Sequence, residues 1–277
     1  MPSQIDNLFV HSILSNLETW VGTTLVFNWQ KVVEILPEAH CSILHLRDLL
    51  DENGVTLEHE EQNGKPAFAQ FTLIFDLNLA EKPIEIDRVY ISPVKTESRL
   101  AADSEALKKF FKPQLSSQNL DVSAINALFS ELYMNICQHA KAKNGYIFAT
   151  HPDEDGNVTF YFSDPGVGIS QNIRQFYRDK EDEPDEKLIE FATQDRISTK
   201  SQTQNQGSGL ATILSSINEM DGRVETCSLR GCLISESNNK PLKSLSYNHK
   251  GTFITLKFNI NRLEKLSDDE FNTDIDF

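Results

Sequence analysis

The sequence lacks the spaced cysteines and histidines that mark a structural metal site or a disulfide framework. Four cysteines occur in 277 residues, none of them in a Cys-x-x-Cys pair (Cys41, Cys137, Cys227 and Cys232). Paired spacing is typical of structural zinc sites, and small secreted domains are dense in disulfides. The pattern therefore predicts reduced thiols in a cytoplasmic protein, without a structural zinc site.

Basic charge and long apolar runs are also scarce. Lys and Arg total 26 against 41 Asp and Glu, which gives a net charge of −15. Nucleic-acid binding needs a basic patch, so we expect no nucleic-acid partner. No uncharged apolar stretch approaches the roughly 18 residues of a membrane span, and no basic flank precedes an apolar run at the N-terminus. We therefore expect neither a membrane association nor a signal peptide.

Two common nucleotide-binding fingerprints are missing. The chain has no Gly-x-x-x-x-Gly-Lys-Ser/Thr sequence, so it is not a P-loop protein. Gly166-Val-Gly168 lacks the later glycine and the context of a dinucleotide fingerprint.

The first part of the chain predicts a small α/β module. Helical and strand patterns alternate over residues 1–115, with a half-buried strand over 71–79 and a last strand over 84–91. No catalytic constellation occurs in it, so we interpret it as a scaffold, sensing or partner domain. The stretch 113–119 is typical of a linker, and we place the domain boundary there.

The second part, residues 116–263, begins with a helix that carries three polar groups on one stripe. Glu131, Asn135 and His139 recur every four residues, which places them one above another on a helix. An apolar stripe runs beside them (Ile125, Leu128, Leu132 and Ile136). The polar groups therefore lie at the edge of a buried seam.

A predicted strand runs directly into Asp164-Pro-Gly166-Val-Gly168-Ile169. A carboxylate at a strand end can accept a hydrogen bond from the exocyclic amino group of adenine, which satisfies a group that is costly to bury. Gly166 and Gly168 allow the close backbone approach and positive φ that a base and ribose require. The motif is a candidate adenine site.

The following segment, 170–206, is polar and charged, and its length predicts a lid over a site. It ends in Ser198-Thr199-Lys200, and Gly207-Ser208-Gly209-Leu210 then opens a helix. The backbone N–H groups of the glycines and the positive N-terminal end of the helix favour the binding of phosphates there. Lys200 is placed to neutralise a terminal phosphate.

Two residues of the first helix have candidate roles in chemistry on that phosphate. Asn135 offers an amide oxygen to Mg²⁺, which takes few protein ligands and completes its shell with phosphates and water. Glu131, one turn away, is placed to orient or deprotonate an attacking water or hydroxyl. Each motif alone is a common turn or helix entry, but their order and contexts together favour an ATP site.

These motifs together resemble those of the Bergerat-fold (GHKL) ATPases, which include gyrase B subunits, heat-shock chaperones, mismatch-repair ATPases, sensor histidine kinases and anti-sigma serine kinases. Residues 131–140 resemble the family's N-box, 164–168 its first glycine box and 207–210 its second. Ser198-Thr199-Lys200 is similar to the Thr-Thr-Lys of the kinase branches, and Gly251-Thr252 to a late Gly-Thr. The resemblance covers roughly residues 120–260.

The resemblance implies an α/β sandwich, a mixed sheet with helices on one face. It implies that Asp164 binds adenine, Asn135 holds Mg²⁺, Glu131 is the general base and Thr252 supports Asp164. His139 matches a frequent N-box histidine. The acidic stretch 264–277 is expected to be a tail.

Among the branches, the compact spacing fits the serine-kinase type best. His59-Glu60, in a predicted strand or loop, matches a phosphoacceptor box poorly, and 228–277 is too short for the second domain of gyrase and mismatch-repair proteins. We therefore expect transfer of the γ-phosphate to Ser or Thr of a regulatory protein partner. Two alternatives stay open, an ATP-hydrolysing switch that gates dimerisation or partner release, and a non-catalytic nucleotide-gated binding protein. A homodimer is a further expectation.

Overall fold

The structure is a computed structural model that describes residues 4–5, 10, 13, 16–28, 32, 34–35, 37–60, 83–86, 89–94, 96–116, 120–139, 145–194, 197, 209–237 and 239–263. Short strands and one helix come first: β1 (Gln4–Ile5), β2 (Thr24–Asn28), β3 (Glu34–Ile35), α1 (Pro37–Glu52), β4 (Thr56–Glu60), β5 (Ile84–Ile86) and β6 (Val89–Val94). The remaining elements are α2 (Leu100–Ser116), α3 (Ser123–His139), β7 (Gly145–Thr150), β8 (Asn157–Asp164), α4 (Ile169–Phe176), α5 (Asp185–Ala192), α6 (Gly209–Glu219), β9 (Arg223–Glu236) and β10 (Leu242–Asn259).

A six-stranded sheet forms the centre of the molecule, in the order β5-β6-β7-β8-β10-β9. Its described strands pair antiparallel, although the resemblance implied a mixed sheet. Two parallel pairs, β1 with β3 and β2 with β4, lie outside it. The expected α/β sandwich is confirmed.

Alternation along β8 decides what faces each side of the sheet, because successive side chains of a strand point to opposite faces. Val158, Phe160 and Phe162 belong to a core with the buried faces of α2, α3 and α6. Tyr161 belongs to a second core, on the opposite face. Asp164 has the same parity as Phe162, so the strand presents it on the side of α3 and α6.

Helix α3 forms because its apolar positions follow the helical period. Ile125, Phe129 and Leu132 are almost fully buried, and each such side chain contributes roughly 1.5–3 kcal/mol of transfer free energy. The Asp121 carboxylate accepts a hydrogen bond of 2.8 Å from the backbone N–H of Ser123, which caps the first turn. The helix therefore lies firmly on the sheet and holds its polar stripe at the edge of the core.

Helix α1 covers the second face of the sheet. Its buried residues Ile43 and Leu46 join the core that contains Phe148, Tyr161 and Phe253. The resemblance implied helices on one face, and this holds for α2, α3 and α6. The segment before residue 60 supplies the cover for the other face.

Buried histidines mark the contact between α1 and the sheet. His45 Nδ1 lies 2.8 Å from the hydroxyl oxygen of Ser163, and the His45 and His249 rings meet edge to face. Burial lowers the pKa of His45 well below its usual range and that of His249 to about 4. Both imidazoles are therefore neutral at pH 7.

The central sheet crosses the domain boundary predicted near residue 115. Strand β6, predicted within the N-terminal module, pairs with β7 over Val89↔Thr150 to Val94↔Gly145. The stretch predicted as a linker begins inside α2, where Leu115 is buried. Local patterns could not show this, because the pairing joins segments about 55 residues apart.

Two local predictions in the first part are wrong. The sequence over 31–36 predicts a helix that Pro37 ends, but residues 34–35 form β3 and Pro37 begins α1. Proline suits the first helical turn because its missing N–H has no partner there. The predicted strand over 71–79 and the acidic tail over 264–277 lie outside the described residues.

None of the helices in the described part of the chain combines the length and the apolar character that crossing a membrane requires.

Candidate nucleotide-binding site

Asp164 ends β8 as a buried carboxyl group, with 5% of its surface exposed. It accepts a hydrogen bond of 2.9 Å from the backbone N–H of Gly166, and the Thr252 side chain, its direct neighbour on β10, bonds it as well. Burial raises the pKa of Asp164 to about 6, although these two hydrogen bonds act in the opposite direction. The carboxyl group retains further lone pairs for an amino group in the cleft.

Hydrogen bonds and close backbone approaches hold the glycine turn after Asp164 in place. Gly168 has φ +81°, and a Cβ there would lie 2.4 Å from the hydroxyl oxygen of Ser228. That hydroxyl donates to the carbonyl of Gly251 and accepts from the N–H of Ile169, both at 2.9 Å. Gly251, with φ +87°, would place a Cβ 1.9 Å from the Asp164 carbonyl oxygen. The glycine box is thus fastened to β9 and β10.

Ser228 is a site residue that sequence reasoning missed. It lies opposite Thr252 in the pairing of β9 with β10. No local motif surrounds it, because its role depends on a contact with a turn about 60 residues earlier. The N–H of Ile169, a residue predicted to bind the nucleotide, donates to Ser228.

The polar stripe of α3 meets the N-terminal end of α6. A Cβ on Gly209 would lie 2.4 Å from Glu131 Oε1 and 3.4 Å from both side-chain amide atoms of Asn135. Glu131 and Asn135 are half-buried. The structure therefore brings together a carboxylate, an amide and the positive end of an eleven-residue helix.

The remaining predicted site residues divide into two groups. Leu210, in the first turn of α6, is partly buried and packs against the core. Four others lie outside the described part of the chain: Thr199, Lys200, Gly207 and Ser208. The side chain of His139 also lies outside it.

The first half of the segment predicted as a lid, 170–206, contains two helices. Helices α4 and α5 lie within residues 169–192, and α5 packs against β9. The Arg174 guanidinium pairs with Asp185 at 2.7 Å and donates to the carbonyls of Glu181 and Glu183. Asp185 in turn accepts from the N–H of Arg230. The polar side chains that led to the lid prediction form these internal bonds.

The geometry fits a nucleotide with a bound divalent cation. The buried Asp164 acceptor suits an exocyclic amino group, and Glu131 approaches the first residue of α6 so closely that a Cβ there would clash with its carboxylate. Asn135 provides the oxygen ligand type that Mg²⁺ prefers. The antiparallel sandwich and this site together point to a nucleotide-binding protein.

The family follows from the sequence match. The chain belongs to the family described as histidine kinase-, DNA gyrase B-, and HSP90-like ATPases, whose model matches residues 120–262. The match spans more than half of the chain and covers the strand end of Asp164, the stripe of α3 and the start of α6. A comparison with curated proteins returned no match. The second part of the chain is therefore an ATP-binding domain of the histidine-kinase-like type.

Proposed function

We propose that this protein is a protein kinase that transfers the γ-phosphate of ATP to a Ser or Thr hydroxyl of a regulatory protein partner. The observation that carries the proposal is the contact between Glu131 and the first residue of α6. A base is useful only beside the phosphate that reacts, and the positive N-terminal end of α6 favours a phosphate next to Glu131.

Each site residue then has one role. Asp164 accepts from the adenine amino group, and Thr252 holds Asp164 in place. Asn135 would hold Mg²⁺, which neutralises phosphate charge when bound. We propose that Lys200, from the segment before α6, approaches the terminal phosphate. Thr199, Gly207 and Ser208 complete the proposed phosphate contacts.

Glu131 supplies the proton transfer. Its carboxylate accepts the proton of the attacking hydroxyl while the oxygen forms a bond to the γ-phosphorus, and the bond from that phosphorus to the bridging oxygen breaks to leave ADP. Positioned general bases contribute about 10²–10⁴-fold to rates. Glu131→Gln keeps the size of the side chain and removes the base, so we expect turnover to fall by about that factor with ATP affinity nearly unchanged.

The test is a transfer assay with Mg²⁺, γ-labelled ATP and candidate partner proteins. We expect label on the partner that is stable to acid, as phosphoserine is and phosphohistidine is not. Glu131→Gln should abolish it, whereas Glu105→Gln, an exposed change on α2, should not. Free phosphate without labelled protein would contradict the kinase proposal and indicate an ATP-hydrolysing switch. ATP that binds but stays unchanged would indicate a nucleotide-gated binding protein.

A further inference from the structure

Strand β9 contains two buried thiols that its bend brings into contact. In an extended strand, residues five apart lie roughly 16 Å from each other and point to opposite faces. Cys227 and Cys232 are five apart, yet their sulfur atoms are 2.8 Å apart. Leu229, between them, has φ +51°, and the register with β10 shifts over the same region. The bend therefore has the specific result of pairing the two sulfurs.

The surroundings of the pair suit a disulfide better than a metal. Glu225 Oε1 lies 3.9 Å from Cys227 Sγ and 3.7 Å from Cys232 Sγ, which makes three potential ligands. A tetrahedral zinc ion with bonds of about 2.3 Å would hold its two sulfurs about 3.8 Å apart, farther than they are here. The Glu225 carboxylate is also paired with Arg223 at 3.0 Å.

We propose that Cys227 and Cys232 form a reversible disulfide that acts on the nucleotide cleft through Ser228. Ser228 follows Cys227 directly, and its hydroxyl bonds Ile169 and Gly251. On the other side of the bend, a Cβ on Gly231 would lie 2.4 Å from the backbone nitrogen of Glu186 in α5. The two flanks of the cross-link thus contact the glycine turn at Ile169 on one side and the start of α5 on the other.

The chemistry needs an oxidant of the peroxide class. The peroxide converts one thiol to a sulfenic acid and is reduced to water. The second thiol attacks that sulfur, which forms the S–S bond and releases another water. A thiol reductant reverses the step by exchange. Cys227 donates a hydrogen bond to Cys232, and this bond and burial raise the pKa of Cys227, so little thiolate exists at pH 7 and oxidation is slow.

Disulfide formation should weaken nucleotide binding. A disulfide has a sulfur separation of about 2.05 Å, so the two sulfurs must approach by roughly 0.75 Å. Ser228, next to Cys227, is held by its two hydrogen bonds of 2.9 Å to Ile169 and Gly251. We expect the movement of Cys227 to strain these two bonds and to lower ATP affinity by about tenfold, the loss of roughly one hydrogen bond.

The experiment uses the full chain, reduced and then treated with hydrogen peroxide. We expect a loss of about 2 Da in intact mass, the two hydrogens of the two thiols, restored by dithiothreitol. Peptide mapping should place the bond between Cys227 and Cys232. A bond to Cys41 or Cys137, no mass loss, or protection of the thiols by one equivalent of zinc would overturn the proposal.

ATP affinity before and after oxidation tests the link to the cleft, and this readout rests on the proposed nucleotide site. We expect a weaker affinity after oxidation of the native protein and no change in Cys232→Ala, with Cys137→Ala behaving as native. Equal affinities in both redox states would overturn the link. If the reduced protein binds no ATP, the nucleotide site fails while the mapped disulfide stands.

Discussion

Asp164→Asn should stabilise the protein in the absence of nucleotide. The buried carboxyl group has its pKa raised from 3.8 to about 6, a difference of about two units. At about 1.36 kcal/mol per unit, ionisation of Asp164 costs the folded state about 3 kcal/mol at pH 8. An amide approximates the protonated acid and can still accept from Gly166, so the variant should recover most of that free energy.

The sign of the pH dependence follows from proton binding. Because the pKa of Asp164 is higher in the folded state, that state binds more protons between about pH 4 and pH 6. The contribution of this group to stability is therefore complete below about pH 4 and is lost as the pH rises through about 6. The advantage of Asp164→Asn should shrink from about 3 kcal/mol at pH 8 to about half of that at pH 5.

The difference in unfolding free energy between the native protein and Asp164→Asn isolates the contribution of Asp164. His45 and His249 have lowered pKa values, so they lose protons on folding and destabilise the protein as the pH falls. This trend opposes that of Asp164 in the native protein but cancels between native and variant. Thermal unfolding at pH 8 should show an increase in Tm of roughly 6–12 °C. A variant less stable than native at pH 8, or a difference independent of pH, would refute the reasoning.

Three further substitutions test the contacts of the site. Gly209→Ala places a Cβ 2.4 Å from Glu131 Oε1, so the carboxylate must move, and we expect kcat to fall by about tenfold or more with the fold intact by circular dichroism. In Gly251→Ala the new Cβ would lie 1.9 Å from the Asp164 carbonyl oxygen, on a backbone with φ +87°. We therefore expect the free energy of unfolding, measured with denaturant, to fall by several kcal/mol. Ser228→Ala removes one donor and one acceptor, which should cost about 1–3 kcal/mol and weaken ATP binding in calorimetry.

For each of these three substitutions, one result would contradict the expectation. Unchanged turnover in Gly209→Ala would show that Glu131 has no role in catalysis. Native stability in Gly251→Ala would mean that the close approach to β8 does not occur. An Ser228→Ala protein with native ATP affinity would separate the β9 contact from the cleft.

The sequence predicted the site where the signal is local. The spacing of Glu131 and Asn135 defines one helix face, and the alternation along β8 places Asp164 on the face toward that helix. Both signals depend only on the period of a helix or a strand. The contact with Gly209 then follows from the packing of α6 beside α3.

The sequence did not show how the polar segment after Ile169 folds. Its composition predicted a lid, and in the structure Ile173, Leu188 and Ile189 are buried and the Arg174–Asp185 ion pair closes the turn between two helices. A few apolar residues suffice here because the polar groups bond one another. Composition alone cannot distinguish such a segment from one without a fixed partner.

The N-terminal part shows the same limit at a larger scale. Strand β6 has all its side chains buried, which is typical of a strand inside a sheet, but nothing in the sequence identifies β7 as its partner. The pairing of His45 with Ser163 is equally invisible, because an isolated histidine carries no directional signal. Strands β5 and β6 are therefore integral to the central sheet, whereas the sequence suggested that they belong to a separate N-terminal module.

The most direct test of the central claim is a comparison of ATP and inosine triphosphate in binding calorimetry. Inosine carries a carbonyl oxygen where adenosine carries its amino group, and its N1 bears a proton that the N1 of adenosine lacks. If Asp164 accepts from that amino group, ATP should bind at least about 100-fold more tightly at pH 8, since inosine would leave the buried carboxylate facing an acceptor. The preference should weaken below pH 6, where the protonated group can donate. Equal affinities at pH 8, or an unchanged preference in Asp164→Asn, would contradict the account.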